Sequence, residues 1–176
     1  MSINRLNHAV LYVRDVEQSV EFYSNVLGFT PISDMSVFPG AAFLRAPGST
    51  NDHDLGLFEV GSQAGASQAG RATVGLYHLA WEVDTLADLE QLAGKLAAVG
   101  ALVGASDHST TKSLYARDPN GIEFEVAWIV PADKLDQAAL DGRTGIKPLD
   151  LAREIARYGA TTLGGIGISR PAASSA

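Results

Sequence analysis

LYARDPNGIEFEVAW, residues 114–128, is the stretch on which the fold of this chain turns. Asp118-Pro119-Asn120-Gly121 has the composition of a tight turn, because proline presets φ and Asn-Gly tolerates the left-handed region. After the turn, Ile122, Phe124, Val126 and Trp128 alternate with Glu123 and Glu125, the period of a strand with one buried face. The two carboxylates therefore project from one side. A half-exposed strand with a charged wet face accounts for them in the simplest way. The competing reading is that one of them serves a site.

Working outward from this strand, the chain contains one unit written twice. NHAVLYVRD at 7–15 and YHLAWEVD at 77–84 each read as a short strand running into a helix cap. In both, a histidine precedes a valine by five residues: His8 and Val13, His78 and Val83. Asp15 caps a helix with Val16, Val20, Tyr23 and Leu27 on one face, ended by Gly28. Asp84 or Thr85 caps a second, with Leu89, Leu92, Leu96 and Val99 on one face, ended by Gly100. Further strands follow each helix, and both halves close on the same tripeptide, Phe58-Glu59-Val60 and Phe124-Glu125-Val126. The expected fold is α+β: two βαβββ modules, at 4–60 and 74–130, within a domain spanning 1–130. The Gly-, Ala-, Ser- and Gln-rich stretch 61–73 reads as a flexible linker. Residues 131–176 form a C-terminal extension. In it 132–140 and 148–158 read as helical, with Leu149, Ala152, Ile155 and Ala156 as an apolar stripe, Gly159 as a stop and a loosely ordered tail.

Composition narrows the function. The 176 residues are enough for a sizeable core, and 46% hydrophobic with 19% charged residues describes an ordinary globular protein. A net charge of −7 argues against nucleic acid as a partner, since phosphate binding needs clustered Lys and Arg. Without cysteine there is no disulfide, no thiolate nucleophile and no Cys-based metal site. No run approaches the ~18 apolar residues of a membrane span, and the N-terminus lacks a signal peptide's pattern, so the expected location is the cytoplasm.

With its DPNG-x-E-F-E ending and its paired strand histidines, the sequence resembles the vicinal oxygen chelate superfamily, over residues 4–130. That superfamily includes glyoxalase I, bleomycin-resistance proteins and type I extradiol dioxygenases. The resemblance implies a cupped sheet built from two βαβββ modules, with a divalent metal held by His8, His78 and Glu125. Two imidazoles and one carboxylate on one face of an octahedral metal leave three positions open, as in non-haem Fe(II) oxygenases. Glu123 then shares Glu125's face because the strand period puts it there.

The repeat leaves a choice of chemistry. Glu59 ends the first module as Glu125 ends the second. If Glu59 also binds, His8, Glu59, His78 and Glu125 form the ligand set of glyoxalase I-like lyases, with Ni(II) or Zn(II). If it does not, the triad remains. His53, ahead of the first module's last strand, matches the acid–base histidine of the extradiol pattern. Tyr115 matches its substrate-binding tyrosine, and His108 a further active-site histidine. Each also has a plain explanation, as an exposed loop histidine or a half-buried strand aromatic. Together they favour an Fe(II) extradiol dioxygenase acting on a catechol-type aromatic and O₂, with Mn(II) as a metal suiting the same ligands. A third reading is a non-catalytic binding protein of the resistance type. Members of this superfamily often dimerise, so a homodimer or higher homo-oligomer is expected.

Overall fold

A computed structural model of the chain describes residues 3, 5–33, 38–69 and 72–165. The chain divides into two compact units, Met1–Gln68 with Asp118–Ile122, and Ala69–Arg117 with Glu123–Ala176. Among the described residues, no helix is long and apolar enough to cross a membrane.

The first unit runs β1 (Ala9–Val13), α1 (Val16–Leu27), β2 (Thr30–Pro31), β3 (Ala41–Arg45) and β4 (Leu55–Glu59). This is the expected strand, helix and three strands. The sheet order is β1-β4-β3-β2, with β1 parallel to β4 and the other pairs antiparallel. The Asp15 side chain accepts from the Gln18 N–H and starts α1. Tyr23 and Val26 on α1 are buried, as are Leu11, Val13, Leu44, Leu55 and Leu57 on the strands.

The turn at 118–122 belongs to this unit, although it lies about a hundred residues further along the chain. Asn120 Nδ2 donates to Ser19 Oγ at 3.0 Å, and the Arg14 backbone N–H donates to Asn120 Oδ1 at 2.8 Å. Tyr23 Oη donates to Asp118 Oδ2 at 3.3 Å. Gly121, at φ 82°, takes the left-handed position the turn needs. DPNG is therefore a clasp on α1 as well as a turn. Arg14 Nε also donates to the Ala64 carbonyl, which ties the start of the Gly/Ala/Ser-rich stretch to this unit.

The second unit repeats the order: β5 (Leu79–Glu82), α2 (Leu86–Ala98), β6 (Leu102–Asp107), β7 (Thr111–Arg117) and β8 (Glu123–Ile129). Thr85 is the cap of α2, in a reciprocal box with Asp88, and Leu86, Leu89 and Leu96 are buried. Val99, expected on the same face, is the cap residue past the last turn and is 56% exposed. The alternation read from the sequence holds along β8: Phe124, Val126 and Trp128 are buried, while Glu123 and Glu125 are half-buried.

Two expectations need correction. The extension is not two long helices. A 3-10 turn at Ala132–Lys134 is separated from α3 (Gln137–Gly142) by extended Leu135 and capping Asp136. After it, β9 (Lys147–Pro148) pairs with β6, giving the order β5-β8-β7-β6-β9. α4 (Leu151–Tyr158) starts only after Pro148 and the cap Asp150, and ends at Gly159 as read from the sequence. Its buried residues are Glu154 and Tyr158 rather than the apolar stripe, because Glu154 forms an ion pair with buried Lys112 at 2.9 Å. The expected loose order of the tail concerns residues 166–176, which lie outside the described residues.

The second correction concerns the repeated tripeptide. In the first unit the residue after His8, Ala9, pairs with Leu55; in the second the residue after His78, Leu79, pairs with Phe124. Glu125 therefore corresponds to Gly56. Glu59 lies three residues further on, opposite Val13, and strand alternation turns it to the other face.

Candidate active site

In the second unit, His78 immediately precedes β5, and β8 lies beside β5 with Glu125 opposite Ala80. This places His78 Nε2 3.1 Å from Glu125 Oε2, with the side chains 24% and 13% exposed. The other carboxylate oxygen, Oε1, accepts from Ser113 Oγ at 2.5 Å. Ser113 is fully buried on β7 and was not singled out in the sequence. The signal for it is there in TKSLY, since period two puts Ser113 and Tyr115 on one face, but recognising it requires knowing that Tyr115 pairs with Glu125.

Tyr115 lies directly across from Glu125, and its hydroxyl is 2.8 Å from His108 Nε2. Its ring is 5.9 Å from that of His78. Burial, and then the Glu125 carboxylate, raise the ionisation of the Tyr115 phenol above its ordinary value. The hydroxyl thus keeps its proton at neutral pH. His78, Glu125, Ser113, Tyr115 and His108 form one connected array on one face of this sheet. Glu123 stands outside it, opposite Arg117 and 3.5 Å from its guanidinium, as an ordinary cross-strand pair.

In the first unit, His8 immediately precedes β1, as His78 precedes β5. His8 and His53 lie with ring centroids 4.5 Å apart, and the Phe43 ring is 5.2 Å from His53. His53 Nδ1 is 3.1 Å from Asp52 Oδ2, and His8 Nδ1 is 2.8 Å from Asn7 Oδ1. Phe43 pairs with Gly56, and its ring lies close over that residue, where a Cβ would stand 3.4 Å from it. Phe43 and Gly56 thus stand where Tyr115 and Glu125 stand in the second unit. Glu59 is engaged elsewhere: its Oε2 accepts from the Val16 N–H at the start of α1.

The donors of the second unit suit a divalent cation. Two atoms bound at about 2.1 Å and at right angles lie about 3 Å apart, which matches the His78–Glu125 separation of 3.1 Å. Ser113 occupies Oε1 and leaves Oε2 as the single free carboxylate donor. Ligation at Nε2 puts the histidine proton on Nδ1, which is buried and has no partner among the described residues. Among the described residues, no three His, Cys, Asp or Glu side chains are gathered closely enough to hold a metal ion.

Residues 5–126 match the profile of the glyoxalase/bleomycin resistance protein/dioxygenase superfamily. The chain belongs to this superfamily. A catechol-2,3-dioxygenase of Bacillus subtilis (strain 168) is 32% identical over 121 residues, 69% of this chain and 40% of that protein. The chain thus spans less than half the length of that relative. Among solved structures, the glyoxylase/bleomycin resistance protein/dioxygenase domain from Frankia sp. EAN1pec is 25% identical, with a TM-score of 0.59 over 72% of this chain and 92% of that one. A lactoylglutathione lyase from Agrobacterium tumefaciens shares the fold at 21% identity, with a TM-score of 0.52 over 72% of this chain and 95% of that one. The superfamily's α+β architecture is the one described above, and the match ends before α3, β9 and α4.

Proposed function

We propose that this protein is an extradiol ring-cleaving dioxygenase for catechol-type aromatics, with Fe(II) held by His8, His78 and Glu125. The observation that carries this reading is that the carboxylate is supplied once. Glu125 has Gly56 as its counterpart in the first unit, while Glu59 is turned away to the start of α1. A ligand set with one carboxylate leaves room for a bidentate substrate and O₂, whereas the four-ligand alternative needs Glu59. His8 enters the set by its place ahead of β1, equivalent to that of His78 ahead of β5. The catechol-2,3-dioxygenase relative supports the substrate class.

Fe(II), when bound, lowers the pKa of the catechol hydroxyls and supplies the redox chemistry that a closed-shell ring and O₂ lack. The side chains do the rest. Tyr115 keeps its proton, so it serves as a donor to a deprotonated substrate oxygen. His108 Nε2 lies 2.8 Å from the Tyr115 oxygen; with Tyr115 donating to substrate, the Nε2–H tautomer of His108 would donate to that oxygen and fix its direction. His53, with Nδ1 turned to Asp52, keeps Nε2 for taking a proton from the substrate and returning it to the product. Ser113 holds Glu125 Oε1, so that Oε2 would be the oxygen left to bind a metal.

The test is O₂ uptake by anaerobically Fe(II)-reconstituted protein against a panel of catechols, with absorbance followed for a yellow ring-fission product. Uptake is expected with at least one catechol, and His53→Ala should lower it by about 10²–10⁴-fold with iron retained. Fully iron-loaded protein that consumes no O₂ with any catechol would overturn the reading.

A further inference from the structure

The segment after residue 126 lies outside the superfamily match, yet it reaches the back of the candidate site. Lys112 and Ser113 are consecutive on β7 and point to opposite faces. Ser113 meets Glu125, and Lys112 meets the extension. Lys112 is wholly buried, with Nζ 2.5 Å from Asp107 Oδ1 and 2.9 Å from Glu154 Oε2 on α4. Arg153, half-exposed on the same helix, bridges Glu154 and Asp107 at 2.9 and 3.4 Å. A buried ammonium stays charged only with such partners, so Lys112 makes the position of α4 matter to the β6–β7 hairpin.

That hairpin carries His108. Its neighbour Ser109 has φ 66°, the one positive φ at a non-glycine position among the described residues. This conformation disfavours a residue with a Cβ and persists where the surroundings hold it. Both of its backbone polar groups are held by the cluster: Ser109 N–H donates to Asp107 Oδ1 at 2.7 Å, and Lys112 Nζ donates to the Ser109 carbonyl at 3.2 Å. The end of α3 closes over the same residue, since a Cβ on Gly142 would collide with the Ser109 hydroxyl. Asp107 and Ser109 are thus fastened to the extension, while His108 between them turns its Nε2 to Tyr115.

We propose that the C-terminal extension is a positioning device for the candidate site. Glu154 acts through Lys112 and Asp107 to hold the Ser109 turn, and so sets His108 against the Tyr115 hydroxyl. Glu154 is a positioning residue supplied from outside the superfamily core. The role of His108 in catalysis rests on the function proposed above, but the test below needs neither iron nor catechol, so failure of that reading leaves its result intact.

The ring nitrogens of the four histidines are observed by long-range ¹H–¹⁵N correlation in labelled, metal-free protein. Tyr115→Phe supplies the reference shift for a lost His108 hydrogen bond. Glu154→Gln is expected to move the His108 signals toward that reference while those of His8 and His53 stay in place. Should Glu154→Gln not fold, the paired replacement Lys112→Met with Glu154→Leu removes the buried Lys112–Glu154 pair as a unit and leaves Asp107 its partner Arg153; the same shift is expected. A folded variant of either kind with His108 signals at their wild-type positions would overturn the proposal and leave the extension a purely stabilising cover.

Discussion

The two oxygens of Glu125 have different partners, and the difference is set by one hydroxyl. Ser113 holds Oε1 at 2.5 Å, and Oε2 is left 3.1 Å from His78 Nε2. Without the hydroxyl the carboxylate is free to rotate, and a cation must order it on binding. Partners of this kind typically affect metal affinity by about 10–100-fold. Ser113→Ala is therefore expected to weaken Mn(II) binding to the metal-free protein by about that factor, measured by calorimetric titration, with Ser113→Thr recovering most of it. Affinity within about twofold of wild type for the alanine variant would remove Ser113 from the site. Glu125 was legible in the sequence because turn composition and period-two alternation are local. Ser113 was not, because its importance lies in a cross-strand register that no local pattern encodes. Glu59 shows the converse: Phe-Glu-Val occurs twice in the letters, but the pairing of β4 with β1 is three residues out of step with that of β8 and β5.

Among the elements, the DPNG turn has two jobs, and only one was visible beforehand. Its residue types announce a turn, whereas its docking on α1 depends on Ser19 and Arg14, about a hundred residues earlier. Asn120 is the central link: its amide accepts from Arg14 N–H and donates to Ser19 Oγ, next to buried Tyr23. Asn120→Ala strands both partners in a part-buried place, where an unmade hydrogen bond costs about 1–3 kcal/mol each. An overall loss of about 2–3 kcal/mol in urea unfolding is expected, against less than about 0.5 for an exposed control such as Gln18→Ala. Equal losses in the two variants would reduce DPNG to a turn. The α4 misreading has the same origin. A helix with Leu149, Ala152, Ile155 and Ala156 looks amphipathic, but burial of Glu154 follows from the ammonium of Lys112, which sits on a strand about forty residues before it.

Across the whole molecule, ionisation links these local arrangements to stability. Three tyrosines have phenols raised above their ordinary value: Tyr23 in the first unit, Tyr115 and Tyr158 in the second. In each, burial is the largest cause. Asp118 adds to it at Tyr23 and Glu125 at Tyr115, while at Tyr158 the Arg157 charge opposes it and Glu154 reinforces it. The unfolded chain ionises its tyrosines near pH 10, below the folded values. The stability these groups carry is therefore fully present below about pH 10 and is lost as pH rises toward the folded pKa values, because the unfolded chain releases the protons first. A net charge of −7 works in the same direction, since every added phenolate joins an excess of negative charge. Urea midpoints should thus be level between pH 8 and about 9.5 and fall steeply above about pH 10. Tyr23→Phe should start from a lower midpoint at pH 8, having lost its bond to Asp118, but decline less steeply at high pH. Tyr23 is the decisive case because it is the most deeply buried of the three, and its burial beside Asp118 raises its phenol well above the ordinary value. A Tyr23→Phe curve parallel to wild type through pH 11 would mean that this phenol ionises in the folded protein as freely as in the unfolded chain, and that burial of Tyr23 against Asp118 does not hold its proton.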